Sequence, residues 1–181
     1  KYNQITNVRK MTDNIKLNTV VRLGKKKVGS GNRPYIIAEA GLNHNGDLSI
    51  AKKLIDNAVK CKCDAIKFQT FKKNGRVSSV VKSVNYTEKA DGLREDINEM
   101  FNRLQINNKF HKQIFSYAKK KKITIFSTPF DEESVDYLEK LNVEFYKIAS
   151  VDAINIPLIT KVGMTGKPLI LSTGMCNIGN V

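Results

Sequence analysis

From residue 35 onward, short apolar runs alternate with longer stretches whose apolar residues recur at helical spacing. The pattern predicts strands over 35–40, 65–70, 123–128, 143–149 and 168–172, with helices over 48–60, 107–120, 131–140 and 156–162. In the first helix Ala51, Leu54, Ile55, Ala58 and Val59 fall on one face, at i, i+3, i+4, i+7 and i+8. Asp47 stands where an N-cap is needed. Asp131 does the same before Glu132 and Glu133, which complement the helix dipole. Five strands linked by helices make an α/β fold with parallel strands, either an open doubly wound sheet or a closed barrel. Ahead of this repeat, residues 1–14 form a polar, basic leader expected to be disordered. Residues 15–21 and 26–28 then flank Leu23-Gly24-Lys25 as a small β-hairpin turning at Gly24. The connection between residues 70 and 105 is long and polar, as lids and binding loops are, with room for a helix over 94–104. No linker dividing two domains is evident.

Composition narrows the function classes. A chain of 181 residues can bury one substantial core, and its 41% hydrophobic and 27% charged residues are ordinary for a soluble protein. No apolar run approaches the ~18 residues of a membrane span, and the first ten residues lack a secretory apolar stretch, so a cytoplasmic protein is expected. Cys61, Cys63 and Cys176 are odd in number and do not form a CxxC pair; they read as reduced thiols. The net charge of +14 raises the possibility of a polyanion partner, yet the lysines are dispersed. The one tight run, Lys119 to Lys122, ends a helix, where cations meet the negative end of the dipole and solvent. Neither a nucleic-acid nor a membrane partner is expected.

Chemistry gathers at the C-terminal ends of the strands, where Glu39, Gln69, Thr128, Ser150 and Ser172 stand. Alternation puts Ile66 and Phe68 toward the helices and Lys67 and Gln69 on the other face. Lys147 likewise points opposite to Ile148, and Glu39 shares the face of Ile37. Inward charges lose hydration worth several kcal/mol unless they are paired or meet a ligand. Two readings are open: Lys67 and Lys147 clamp a phosphate and a carboxylate with help from the hydroxyls, or they pair internally with Glu39. Two lysines converging with three hydroxyls favour the anion site.

The segment from Ile36 to Asp47, IIAEAGLNHNGD, resembles the opening motif of the sialic acid synthase family, which includes N-acetylneuraminate, legionaminate and pseudaminate synthases. Lys67-Phe68-Gln69-Thr70, Ser127-Thr128-Pro129-Phe130-Asp131, Tyr146-Lys147-Ile148-Ala149-Ser150 and Leu171-Ser172-Thr173-Gly174-Met175 follow in the family's order. The resemblance implies a TIM-type (β/α) barrel of which residues 15–181, hairpin included, are the N-terminal portion. About three strands, two metal-binding histidines and a small C-terminal antifreeze-like domain would lie beyond Val181, so this chain alone should lack metal-dependent activity. It implies that Lys67, Thr128, Lys147, Ser150 and Ser172 bind phosphoenolpyruvate and that Gln69 contacts an N-acylated amino sugar. Glu39 would be an acidic, proton-transferring residue near the reacting carbons. In the implied reaction C3 of phosphoenolpyruvate attacks the sugar aldehyde, polarised by manganese or magnesium held outside this chain; water adds at C2 and phosphate leaves. A homodimer is expected of the full-length protein.

The same motif implies that His44 lines the site without binding metal, whereas His111, on a helix, reads as a surface residue. Lys62 and Lys122 replace the glycines usual after two helices, so those helix ends are expected to rearrange. Val151 also departs from the pattern and bears on sugar choice. Two rival readings are a Schiff-base aldolase using Lys147 as nucleophile and a basic nucleic-acid or partner-binding fragment without catalysis.

Overall fold

The computed structural model describes residues 19–72, 95–105 and 107–181; the expectations for the leader, for residues 15–18 and for most of the 70–105 connection lie outside the described residues. The chain divides into two compact units, Lys1–Pro34 and Tyr35–Val181, at a point where the sequence shows no linker. In the first unit, β1 (Val20–Leu23) pairs antiparallel with β2 (Lys26–Gly29), Leu23 opposite Lys26, and Gly24 takes the turn at φ 58°.

The second unit carries β3 (Ile37–Gly41), α1 (Leu48–Lys60), β4 (Ala65–Thr70), α2 (Ile97–Leu104), α3 (Asn108–Lys120), β5 (Thr124–Pro129), α4 (Glu132–Lys140), β6 (Tyr146–Ile148), α5 (Ile156–Gly163) and β7 (Leu169–Leu171). Strands β3, β4 and β5 form one parallel sheet and β6 and β7 a second; β5 and β6 run side by side without a ladder. β6 is shorter than the apolar run 143–149 because both ends of that run are spent on turns. The Val143 N–H closes the end of α4 on Leu138 O, and Ala149 opens a 3₁₀ turn over Ser150–Asp152. Among the described residues no helix is long and apolar enough to cross a membrane.

Apolar periodicity becomes three cores. Ile66, Phe68 and Ala40 meet Ala51, Ile55 and Ala58 of α1 and Ile114 and Ala118 of α3. Tyr146 and Ile148 meet Val135 and Leu138 of α4 and Leu158 and Val162 of α5. The third core sits over the strand ends, where Ile97, Phe101 and Leu104 of α2 pack on Phe71 and Phe130. Asp47 caps α1 by accepting from the Ser49 and Ile50 N–H groups. Asp131 caps α4 through Ser134 N and with its other oxygen accepts from Lys72 N at 2.7 Å, tying the end of β4 to the start of α4.

The helix ends at Lys62 and Lys122 are not rearranged. Both lysines occupy the left-handed region, at φ 57° and 60°, and Asn142 joins them at 55°. Each closes a Schellman motif: Lys62 N donates to Val59 O and Cys63 N to Ala58 O, a pattern repeated at Lys122 and Ile123 and at Asn142 and Val143. The geometry that glycine would favour is kept by lysine, at a cost of about 1 kcal/mol per residue, because the strand that follows must start immediately. Lys119 to Lys122 are all exposed, so the basic run is a solvated face.

Candidate functional site

Parallel register sets Glu39 beside Lys67 and Gln69 beside Thr128, so four polar side chains leave β3, β4 and β5 on the face turned away from α1 and α3. On that face, toward the N-terminal ends of the strands, Phe126 packs on Phe145 with ring centroids 4.3 Å apart, and Tyr35 meets Phe145 edge-on at 6.2 Å. These rings close the floor beneath the polar groups.

Lys67 Nζ lies 2.7 Å from Glu39 Oε2 and donates to Thr128 Oγ1 at 3.1 Å. Its side chain is 11% exposed while that of Glu39 is 53% exposed, so the pair has a sealed cationic end and a wet anionic end. Internal pairing, one of the two readings left open by the sequence, is therefore realised for Lys67. Lys147 is different. Its Nζ donates to Ile148 O at 2.7 Å, a carbonyl that also accepts from Ser172 N, and among the described residues no carboxylate forms an ion pair with it. Burial and the neighbouring Lys67 charge push the Lys147 amine below the ordinary lysine value, against the weaker pull of Glu39. The two ammonium groups thus feel one another across β4, β5 and β6.

Gly41 makes room at the mouth. The β3–β4 ladder bulges between Glu39 and Gly41, and Gly41 has φ 49°. A Cβ there would stand 3.1 Å from Glu39 Oε1 and 3.5 Å from Gln69 Nε2. Gln69 Oε1 is buried and has no hydrogen-bond partner among the described residues. A hollow of about 430 Å³ opens beside it, lined by Asn43, Asn45, Met100, Phe101 and Arg103 among others. Larger hollows of about 610 and 700 Å³ lie between helices, lined by neither lysine. Ser150 opens the 3₁₀ turn after β6 and Ser172 follows β7, their strands in register at Ile148 and Leu171. The structure brings Glu39, Lys67, Thr128 and Gln69 together, sets Lys147 within electrostatic reach, and joins neither serine to a lysine directly.

Both histidines depart from expectation. His44 does not line this site: it is fully buried between the rings of Phe68 and Phe110, at 6.0 and 5.2 Å, on the opposite face of β4 from Lys67. Its Nδ1 accepts from Gly46 N at 2.9 Å, folding the loop after β3, and burial pushes its pKa down to about 4. His111 is not on the surface. It is 1% exposed, with Nε2 2.9 Å from Thr70 Oγ1. The spacing His111, Ile114, Ala118 carried the signal, since it places the histidine on the apolar stripe of α3.

The model of the NeuB family matches residues 54–181. The chain belongs to the NeuB family. It is 44% identical, over 82% of its length and 45% of the relative's, to N,N'-diacetyllegionaminic acid synthase of Campylobacter jejuni subsp. jejuni serotype O:2. It is 33% identical, over 82% of its length and 41% of the relative's, to N-acetylneuraminate-9-phosphate synthase of Mus musculus. The crystal structure of N-acetylneuraminic acid synthetase from Leptospira borgpetersenii serovar Hardjo-bovis in complex with citrate superposes with a TM-score of 0.76 at 34% identity, covering 89% of this chain and 52% of that one. The chain spans less than half the length of the curated relatives it matches. The mixed α/β fold with parallel strands is similar to that of the sialic acid synthetase structure.

Proposed function

We propose that this chain carries the phosphoenolpyruvate-gripping part of a nonulosonic acid synthase, which condenses phosphoenolpyruvate with N-acetylmannosamine or a related N-acylated amino sugar and releases phosphate. The observation that carries the reading is the pair of lysines, Lys67 and Lys147, on one face over an aromatic floor, the second with no carboxylate ion pair among the described residues. A small acid bearing phosphate and carboxylate supplies the negative charge that Lys147 lacks. Thr128 holds Lys67 in place, and Ser150 and Ser172 offer hydroxyls at the neighbouring strand ends. The unpartnered Gln69 Oε1 is suited to accept from a sugar hydroxyl or amide N–H. Glu39, half exposed beside Lys67, is placed to move a proton near the reacting carbons. Holding the three-carbon acid against the aldehyde lowers the barrier by orientation.

In this reading the chain is the N-terminal part of a TIM-type barrel. Among the described residues no three His, Cys, Asp or Glu side chains come together as a metal site, and the Lys67–Lys147 face is unsuited to a cation. Manganese or magnesium is assigned no ligand here. The acceptor we favour is the diacetylated precursor of legionaminate, supported by the 44% identity to a legionaminic acid synthase.

The test is phosphate release by the protein carrying this chain, with manganese present. Release should require both phosphoenolpyruvate and the amino sugar, and Lys67→Ala should abolish it; release without sugar, or normal release by that variant, contradicts the assignment. One observation favours a second reading: the depressed Lys147 amine is the kind of nucleophile a Schiff-base aldolase uses. Borohydride in the presence of pyruvate would then trap a covalent adduct at Lys147.

A further inference from the structure

Alternation along β4 and β5 puts Thr70 and Ser127 on the helix-facing side, one residue from Gln69 and Thr128 on the other. Thr70, Ser127 and His111 are 4%, 0% and 1% exposed, Thr70 and His111 standing at the wall of the hollow of about 700 Å³ between α3 and α4. Their contacts form a line. His111 Nδ1 lies 3.2 Å from Asn107 O, His111 Nε2 lies 2.9 Å from Thr70 Oγ1, and Thr70 Oγ1 lies 2.7 Å from Ser127 Oγ. A carbonyl oxygen only accepts, so Nδ1 carries the ring proton and donates to Asn107 O. Nε2 is then the acceptor for the Thr70 hydroxyl, and Thr70 Oγ1 accepts in turn from Ser127. Among these contacts, the direction of the chain is set at the histidine.

The hydroxyl chain crosses from β4 to β5 at the level of the site. Ser127 precedes Thr128, whose Oγ1 accepts from Lys67, and Thr70 follows Gln69, whose carbonyl oxygen has no hydrogen-bond partner among the described residues. A shift of either strand end would move one of these two groups and leave the other behind. The backbone ladder already pairs Gln69 with Thr128, and to it the hydroxyl chain adds a directional side-chain tie that Phe68, packing without direction, does not supply.

We propose that His111 is a positioning residue: by orienting the Ser127–Thr70 hydroxyl chain behind the sheet, it adds to the backbone ladder in fixing where Gln69 and Thr128 stand on the substrate-facing side. The proposal rests on the reading of those two residues as substrate-holding groups. Its chemistry requires only a buried hydrogen-bond acceptor at Nε2. Glutamine in place of His111 retains such an acceptor, whereas leucine of similar bulk does not.

The test has an arm that needs no turnover. ¹⁵N spectra of the protein carrying this chain should show His111 as the Nδ1–H tautomer, and His111→Leu should shift or broaden the Gln69 side-chain amide and the Thr128 backbone amide while His111→Gln leaves them near their places. In the turnover arm, His111→Leu should lower kcat per folded molecule by about tenfold with KM for phosphoenolpyruvate within about twofold, since misplacement costs rate before the lysine grip is lost. His111→Gln should restore most of kcat. Should His111→Leu not fold, Ser127→Ala, which removes the far end of the chain, is expected to move the same two amide signals. An Nε2–H tautomer, or a variant that loses melting temperature while the Gln69 and Thr128 signals and kcat stay as in the wild type, overturns the proposal. A wild type that releases no phosphate from phosphoenolpyruvate refutes the proposed reaction instead, and the spectra still decide the role of His111.

Discussion

The two faces of the strand array treat nitrogen bases in opposite ways. On the helix-facing side, His44 and His111 are sealed: His44 is held neutral by burial and closes a loop, and His111 lies in a hydroxyl chain. On the other side, Lys67 and Lys147 are only partly buried, and their shared surroundings include one carboxylate, Glu39, half exposed and paired with Lys67. Full burial leaves no room for unpaired charge, so the histidines serve structure. Partial burial at an open mouth permits a charge that the fold alone leaves uncompensated, and such a charge is available to a ligand. The contrast separates groups that hold the site from groups that use it.

The largest effect that would break this contrast concerns His44. Its folded pKa of about 4 lies below the ordinary 6.5, so the unfolded chain takes up a proton first as pH falls. The stability due to a neutral His44 is complete above 6.5 and is lost as pH drops toward 4, by about 3 kcal/mol at 1.36 kcal/mol per pH unit. Urea unfolding of His44→Phe should therefore lose less stability over that interval than the wild type; equal slopes would show that His44 is not held neutral.

Next come the lysines. Lys67→Met and Lys147→Met should each weaken phosphoenolpyruvate binding by about 10- to 100-fold, the value of a charge-assisted hydrogen bond. Their effects on stability should differ in sign. Removing Lys67 leaves Glu39 unpaired but half in water, at a cost below about 1 kcal/mol. Removing Lys147 relieves a destabilising charge and raises the melting temperature. That gain is full at pH values below the depressed Lys147 pKa and fades as pH rises through it toward 10.5, where the unfolded lysine also loses its proton.

The smallest effect lies at the helix ends, outside both faces. Lys62→Gly and Lys122→Gly should each add about 1 kcal/mol of stability, read by chemical denaturation, because glycine enters the left-handed region without penalty. Asn142→Gly should change less, since asparagine tolerates that conformation.

Most of the architecture was legible because its causes are local and periodic. The alternation that put Lys67 and Gln69 opposite Ile66 and Phe68 reappears in the register with Thr128, and the caps Asp47 and Asp131 stand where side chains can reach the first free N–H groups. What stayed hidden depends on contacts between distant segments. His44 sits in a polar run, Asn43-His44-Asn45-Gly46, and nothing in that run reveals Phe110, far along the chain, against its ring. Pairing with Glu39 stood open for either lysine, and that Lys67 takes it while Lys147 has no carboxylate ion pair among the described residues follows from which strands become neighbours. Lys62 and Lys122 taught the reverse lesson, since a local preference for glycine yielded to the tertiary need for an abrupt strand start.

The central claim is that Lys67 and Lys147 form one cradle for a doubly charged three-carbon acid. Calorimetric titration with phosphoenolpyruvate, in buffers of differing ionisation enthalpy between roughly pH 7 and 10, tests it most directly in the protein carrying this chain. Binding should be accompanied by proton uptake, as the bound anion restores the Lys147 ammonium, and Lys147→Met should lose both the affinity and the uptake. Binding of undiminished strength by that variant, or wild-type binding with no proton linkage anywhere in the range, would contradict the account.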